Sequence, residues 1–106
     1  MPKIREVRAL AEQRPVFEVL PELSFAAMDG DAPLRHAKTT WAGHARRRRL
    51  LADHGLELPD DPGPAGRVAP DDLLDAAAVA WSARRIAEGA GSRAPAHGDP
   101  AAAIWW

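Results

Sequence analysis

Apolar and polar positions along this 106-residue chain change their period several times. Between Lys3 and Gln13, Ile4, Val7 and Leu10 or Ala11 recur at helical spacing, while Arg5, Glu6, Arg8 and Glu12 face water. This predicts a short helix that Arg14-Pro15 ends, because the residue before proline avoids the α region. Val16-Phe17-Glu18-Val19-Leu20 follows as the clearest strand, β-branched and aromatic, stopping at Pro21. Alternation puts Val16, Glu18 and Leu20 on one face and Phe17 and Val19 on the other. Both faces are mostly apolar, which predicts burial in a sheet with helices on both sides. Glu18 is the polar exception.

Pro21 to Met28 reads as a second short helix, with Pro21 in its first turn and Glu22 at the positive N-terminus. Asp29-Gly30-Asp31-Ala32-Pro33 is a turn cluster. A polar connection, Leu34 to Thr40, leads into a helix from about Trp41 to His54, capped by Thr39 or Thr40 and stopped by Gly55. Residues 56–69 form a Pro/Gly/Asp-rich loop. The best helix then runs from Pro70 to about Glu88, with Pro70 in its first turn and Asp71 placed to cap it. Asp72 and Asp75 lie three apart, about 5–6 Å between Cβ atoms. Val79, Ala83 and Ile86 continue their face, which is expected to turn inward. Carboxylates at the head of an inward face need a positive partner, either a divalent cation or an arginine. Residues 89–102 read as a second loop, with the Gly/Pro/Ala-rich stretch to Pro100 disordered or loosely packed. Ala103-Ile104-Trp105-Trp106 is an apolar tail, open to a terminal strand or a tail packed on the core.

Composition narrows the function classes. Fourteen Lys+Arg against fifteen Asp+Glu give a net charge of −1, so no global basic field points to nucleic acid. The absence of cysteine excludes disulfides and thiol chemistry and fits a reducing compartment. No apolar run is long enough to span a membrane, and no signal-peptide core is present, so a cytoplasmic location is expected. Arg46-Arg47-Arg48-Arg49 lies inside a helix, so its four side chains wrap around the axis and cannot share one face. They are either a solvated surface or, with Lys38 and Thr39-Thr40, contacts to a phosphate backbone. His36, His44, His54 and His97 lack zinc-ligand spacing, and no phosphate-binding glycine loop or serine nucleophile elbow is present.

The elements do not close a fold by themselves. One strand apolar on both faces, about four helices and a candidate terminal strand leave the strand without neighbours. The pattern is that of the later part of an α/β domain.

Several segments resemble one bacterial family in the same order. They are Met1 to Val7, Phe17 to Phe25, Lys38-Thr39, Gly66 to Ala76 and the closing Ile104-Trp105-Trp106. The family is the domain of unknown function four-two-nine, described as predicted RNase H-like nucleases. The resemblance covers nearly all of this chain but only the C-terminal half of the family's domain. It implies one partial RNase H-like domain over residues 1–106, with the early strands of the sheet absent. It also implies a metal-dependent nuclease that holds two divalent ions on acidic residues. By position, Glu18 corresponds to the carboxylate on the fourth strand, and Asp72 and Asp75 to the acidic pair of the last helix. Glu22 is a further candidate. Oxygen ligands of this kind suit Mg²⁺ or Mn²⁺. The family's glycine-flanked aspartate on the first strand has no counterpart before Glu18.

Two readings follow. In the first, the chain is a C-terminal fragment of a nuclease, inactive alone. Glu18, Asp72 and Asp75 are then catalytic metal ligands, and Lys38, Arg46 and Arg47 meet a nucleic-acid substrate. The missing strands would come from a partner, or the open edge would drive self-association. In the second, the chain is a non-catalytic interaction or structural module whose acids pair with arginines such as Arg46 to Arg49, Arg84 or Arg85.

Overall fold

The structure, a computed structural model, describes residues 16–106. The helix expected over Lys3–Gln13 lies outside the described residues. The chain is an α/β protein, with three α-helices and a small mixed sheet among the described residues.

The elements in order are β1 (Glu18–Val19), α1 (Pro21–Met28), α2 (Trp41–Asp53), α3 (Pro70–Ala87), β2 (Arg93–Ala94) and β3 (Ile104–Trp105). Short 3₁₀ turns cover Gly63–Arg67 and Pro100–Ala102. Each α-helix starts where its sequence favours a start. Pro21 and Pro70 occupy first turns, where a missing N–H costs nothing. At α2 the Thr40 hydroxyl accepts from Gly43 N at 3.0 Å. Gly55, with φ of +88°, provides the left-handed turn that stops α2.

The helices share one core. Phe25 and Met28 of α1, Leu50 and Leu51 of α2 and Leu74 and Ala78 of α3 are buried together. Each large apolar side chain in such a core contributes about 1.5–3 kcal/mol relative to exposure. Leu56 and Leu58 from the long loop and Trp81 of α3 pack on its margin. Ser24 and Ser82, both fully buried, share a 2.7 Å hydrogen bond between α1 and α3, so neither hydroxyl is left unsatisfied.

The sheet runs β1–β3–β2. Strand β3 is central, parallel to β1 with Glu18 opposite Ile104, and antiparallel to β2 with Arg93 opposite Trp105. The apolar tail is therefore a strand. The 89–102 stretch is not wholly loop either, because it carries β2. Arg93 places its guanidinium over the Trp105 ring, 5.5 Å from the centroid. Strand β1 is shorter than its sequence pattern and pairs on one side only among the described residues. Phe17 and Leu20 beside it remain 37% and 43% exposed. The two-sided burial expected of β1 is not seen, because among the described residues the helices pack on one another rather than over its faces. Phe17 instead meets Trp105 edge-on at 4.9 Å.

Helix α3 also turns a different face inward. Its buried stripe is Leu74, Ala78 and Ser82, one position round from the expected Asp72–Asp75–Val79 face. Asp71 and Asp75 thus border the core, while Asp72 points to solvent.

Candidate functional site

The head of α3 meets the loop that enters α2. Lys38 Nζ donates to Asp75 Oδ2 at 3.0 Å and lies 3.9 Å from Asp71 Oδ2. The hydrogen bond to Asp75 raises the Lys38 pKa above its ordinary value. Coulombic attraction to Asp75 adds to the rise, and Asp71 and Asp72 contribute less. Beside this cluster, Lys38, Thr39, Thr40, Trp41, His44, Pro70 and Asp71 line an open depression of about 350 Å³. Trp41 is 92% exposed at its rim.

The loop is held in place by a buried arginine. Arg47 is 1% exposed, yet its donors are matched. Nη1 donates to the carbonyls of His36 at 2.8 Å and Gly43 at 3.0 Å. Nη2 and Nε both donate to the Glu22 carboxylate. Gly43 makes this approach possible: a Cβ there would stand 1.9 Å from the Ala37 carbonyl oxygen. Thr40 Oγ1 donates to that same carbonyl at 2.7 Å. The chain from His36 to Thr40 is therefore clamped on the N-terminal half of α2, and Lys38 is aimed from the clamped segment at α3.

The sequence candidates separate in space. Asp75 is half-buried and engaged by Lys38. Asp72 and Glu18 are exposed and make no ion pair among the described residues. Glu22 serves Arg47. Arg47 itself is turned into the core, so its guanidinium is not offered to a phosphate. Arg46 pairs with Asp29 and Arg48 with Asp60. None of Glu18, Asp72 and Asp75 is answered by a guanidinium among the described residues. Asp71 was read from sequence only as a cap. The cap position of α3 is Ala69, with no side-chain cap bond, and Asp71 instead faces Lys38. Gly43 and Arg47, spaced i, i+4, were missed as a pair, although a glycine inside a helical pattern is a signal of close approach.

Mg²⁺ or Mn²⁺ prefers carboxylate oxygens, and Asp71 and Asp75 are of the right type. Their number is not sufficient. Among the described residues, no three of His, Asp and Glu come together as a metal-holding group. The cation that meets Asp75 is the Lys38 ammonium. These residues alone do not fit a divalent-ion site.

Three packed helices and a small mixed sheet, with a lysine–aspartate cluster at a groove, define an α/β protein with a polar surface site. Residues 1–99 match the family described as "Protein of unknown function (DUF429)", and the chain belongs to that family. No significant match was found among curated proteins or among solved structures. No helix among the described residues is long and apolar enough to cross a membrane.

Proposed function

We propose that this chain is the C-terminal, acid-bearing part of an RNase H-like nuclease domain, inactive in phosphodiester hydrolysis until further strands complete it. The observation that carries the reading is the meeting of Asp71, Asp75 and Lys38 at the edge of an open groove. Family membership and the one-sided pairing of β1 among the described residues support it. In this reading Lys38 holds the two carboxylates in place while the site is incomplete. The Mg²⁺ or Mn²⁺ that the resemblance implies would belong to the completed domain, where strands beyond β1 supply the remaining oxygen ligands. No catalytic step is assigned to the ion from these residues. Thr39, Thr40 and Trp41 form the wall against which a substrate strand would lie.

The test compares the chain alone with the chain extended at its N-terminus by the strand–hairpin–strand of a longer family member. Labelled single- and double-stranded DNA and RNA are incubated with each in Mg²⁺ or Mn²⁺. The expected result is negligible cleavage by the chain alone and metal-dependent cleavage by the extended chain that Asp75→Asn abolishes. Cleavage by the chain alone, lost in Glu18→Gln, would overturn the inactivity. A folded extended chain with no cleavage of any substrate would overturn the nuclease reading.

A further inference from the structure

Helix α2 carries a second depression, on a face neither in the core nor at the carboxylate groove. Ala42, Ala45, Arg46 and Arg49 follow one another at i, i+3, i+4 and i+7, so they form one stripe. With Arg35, His36 and Asp29 they line a cavity of about 430 Å³. The two alanines make a low floor, and the arginines make the walls. Asp29 engages Arg46 and fixes one wall.

Arg35 and Arg49 differ from most arginines among the described residues. Arg47, Arg48 and Arg84 pair with carboxylates, and Arg85 and Arg93 donate to backbone carbonyls. Among the described residues Arg35, Arg49 and Arg67 alone make neither contact. Two of these three uncommitted guanidiniums line the same depression. They come there from different segments, Arg49 from α2 and Arg35 from the preceding loop. That loop is pinned by the Arg47 bond to the His36 carbonyl, so Arg35 is presented by a fixed backbone. Three guanidiniums and one carboxylate are in the lining, which leaves two positive charges unmatched. The guanidinium fork suits phosphate oxygens.

We infer that the Arg35–Arg46–Arg49 depression is a phosphate site that holds the backbone of a nucleic-acid strand, separate from the Lys38 groove. The identity of the strand as nucleic acid rests on the nuclease reading above; the anion chemistry does not. The open shape lets a chain continue on both sides of a bound phosphate.

Binding is measured by fluorescence anisotropy with a labelled single-stranded oligonucleotide, without added divalent metal, for the full chain and two variants. One variant is the double substitution Arg35→Gln, Arg49→Gln. The other is Arg67→Gln, which removes a similarly uncommitted arginine elsewhere. The double variant should weaken binding about tenfold or more and lower the log–log salt slope by about 1.4, at about 0.7 per lost single-strand contact. Arg67→Gln should leave both nearly unchanged. All three sites are exposed, and unchanged thermal unfolding will confirm that the fold survives. A loss in Arg67→Gln of half that in the double variant or more, as expected where each removed charge counts alike, would mean only a general charge effect and would overturn the site. So would the absence of oligonucleotide binding at low salt, or inorganic phosphate binding as tightly as the oligonucleotide. Cleavage is not read in this assay. The site therefore stands if a strand binds but the extended chain fails to cut, and falls if it cuts while the double variant binds normally.

Discussion

Two acid–base clusters flank the N-terminal half of α2, and they differ in what surrounds them. Arg47 with Glu22 lies inside. Four hydrogen bonds engage the guanidinium, and only the glutamate reaches water, with its side chain 53% exposed. Lys38 with Asp75 and Asp71 lies at the groove. The Lys38 side chain is 44% exposed, and its ammonium makes one direct hydrogen bond. A buried ion pair persists only when its remaining donors are also satisfied, and the His36 and Gly43 carbonyls satisfy them for Arg47. An exposed pair contributes little to stability but remains available to exchange partners. The first cluster is the anchor, and the second is the proposed working surface. The segment from His36 to Thr40 joins them, so geometry at the surface depends on the anchor.

The largest expected effect comes from breaking the anchor. Glu22→Ala leaves a guanidinium that is almost wholly buried without its carboxylate. The cost should be about 3 kcal/mol, at the low end for a broken buried pair because water can reach the vacated Glu22 position. In a chain of this size that lowers Tm by on the order of 10 °C or more. Glu22→Gln, which keeps an acceptor, should lose less. An unchanged melting curve for Glu22→Ala would mean that Arg47 is held by its carbonyl partners alone, and the contrast between the clusters would weaken.

Gly43→Ala sharpens the same comparison with a smaller perturbation. The added methyl group would stand 1.9 Å from the Ala37 carbonyl oxygen and 2.9 Å from Arg47 Nη1, so the loop must move. Overpacking of this kind costs about 1–3 kcal/mol. If the loop is the link between the clusters, Lys38 should also lose its hold on Asp75. The NMR signal of the Lys38 side chain reports this directly. A destabilised variant with an unshifted Lys38 signal would show that the clusters are independent.

Much of this arrangement was legible in the sequence, for identifiable reasons. Pro21, Thr40, Gly55 and Pro70 mark helix ends through local backbone chemistry, which needs no tertiary information. The class of the fold followed from periodicity and punctuation of that kind, and the family from the resemblance of several segments in the same order. The inward face of α3 did not. Val79 and Ile86 suggested one stripe, but packing against α1 selected Leu74, Ala78 and Ser82, where small residues let two helices approach and Ser24 supplies a partner for Ser82. Strand β2 was hidden because Arg93-Ala94 has no β pattern of its own and is held by the paired tail. Among the candidate site residues, Lys38 and Asp75 were both singled out, yet their pairing was not foreseen. A lysine on a polar loop carries no signal of which carboxylate it will meet. Arg47 was indistinguishable from its three neighbours in the run, because only the packing of α2 decides which of four consecutive arginines turns inward.

The smallest effect expected is on stability at the working surface, and it has a definite dependence on pH. The Lys38 pKa is raised, chiefly by its hydrogen bond to Asp75, and a raised lysine favours the folded state while it is protonated. Its contribution is thus fully present below the ordinary lysine value of 10.5 and disappears as pH rises through the higher value of the folded state. Lys38→Met should therefore melt slightly below the parent chain by a constant margin from neutral pH up to about 10.5. Between there and the higher value of the folded state the two curves should converge. Asp75→Asn should remove most of the margin, because Lys38 then keeps only its weaker attraction to Asp71 and Asp72. The three proteins melted side by side across this range provide the measurement. A margin that grows with pH has the wrong sign for a lysine held charged by Asp75. It would mean that the ammonium is destabilising in the folded state, and that the groove is built around an unprotonated amine.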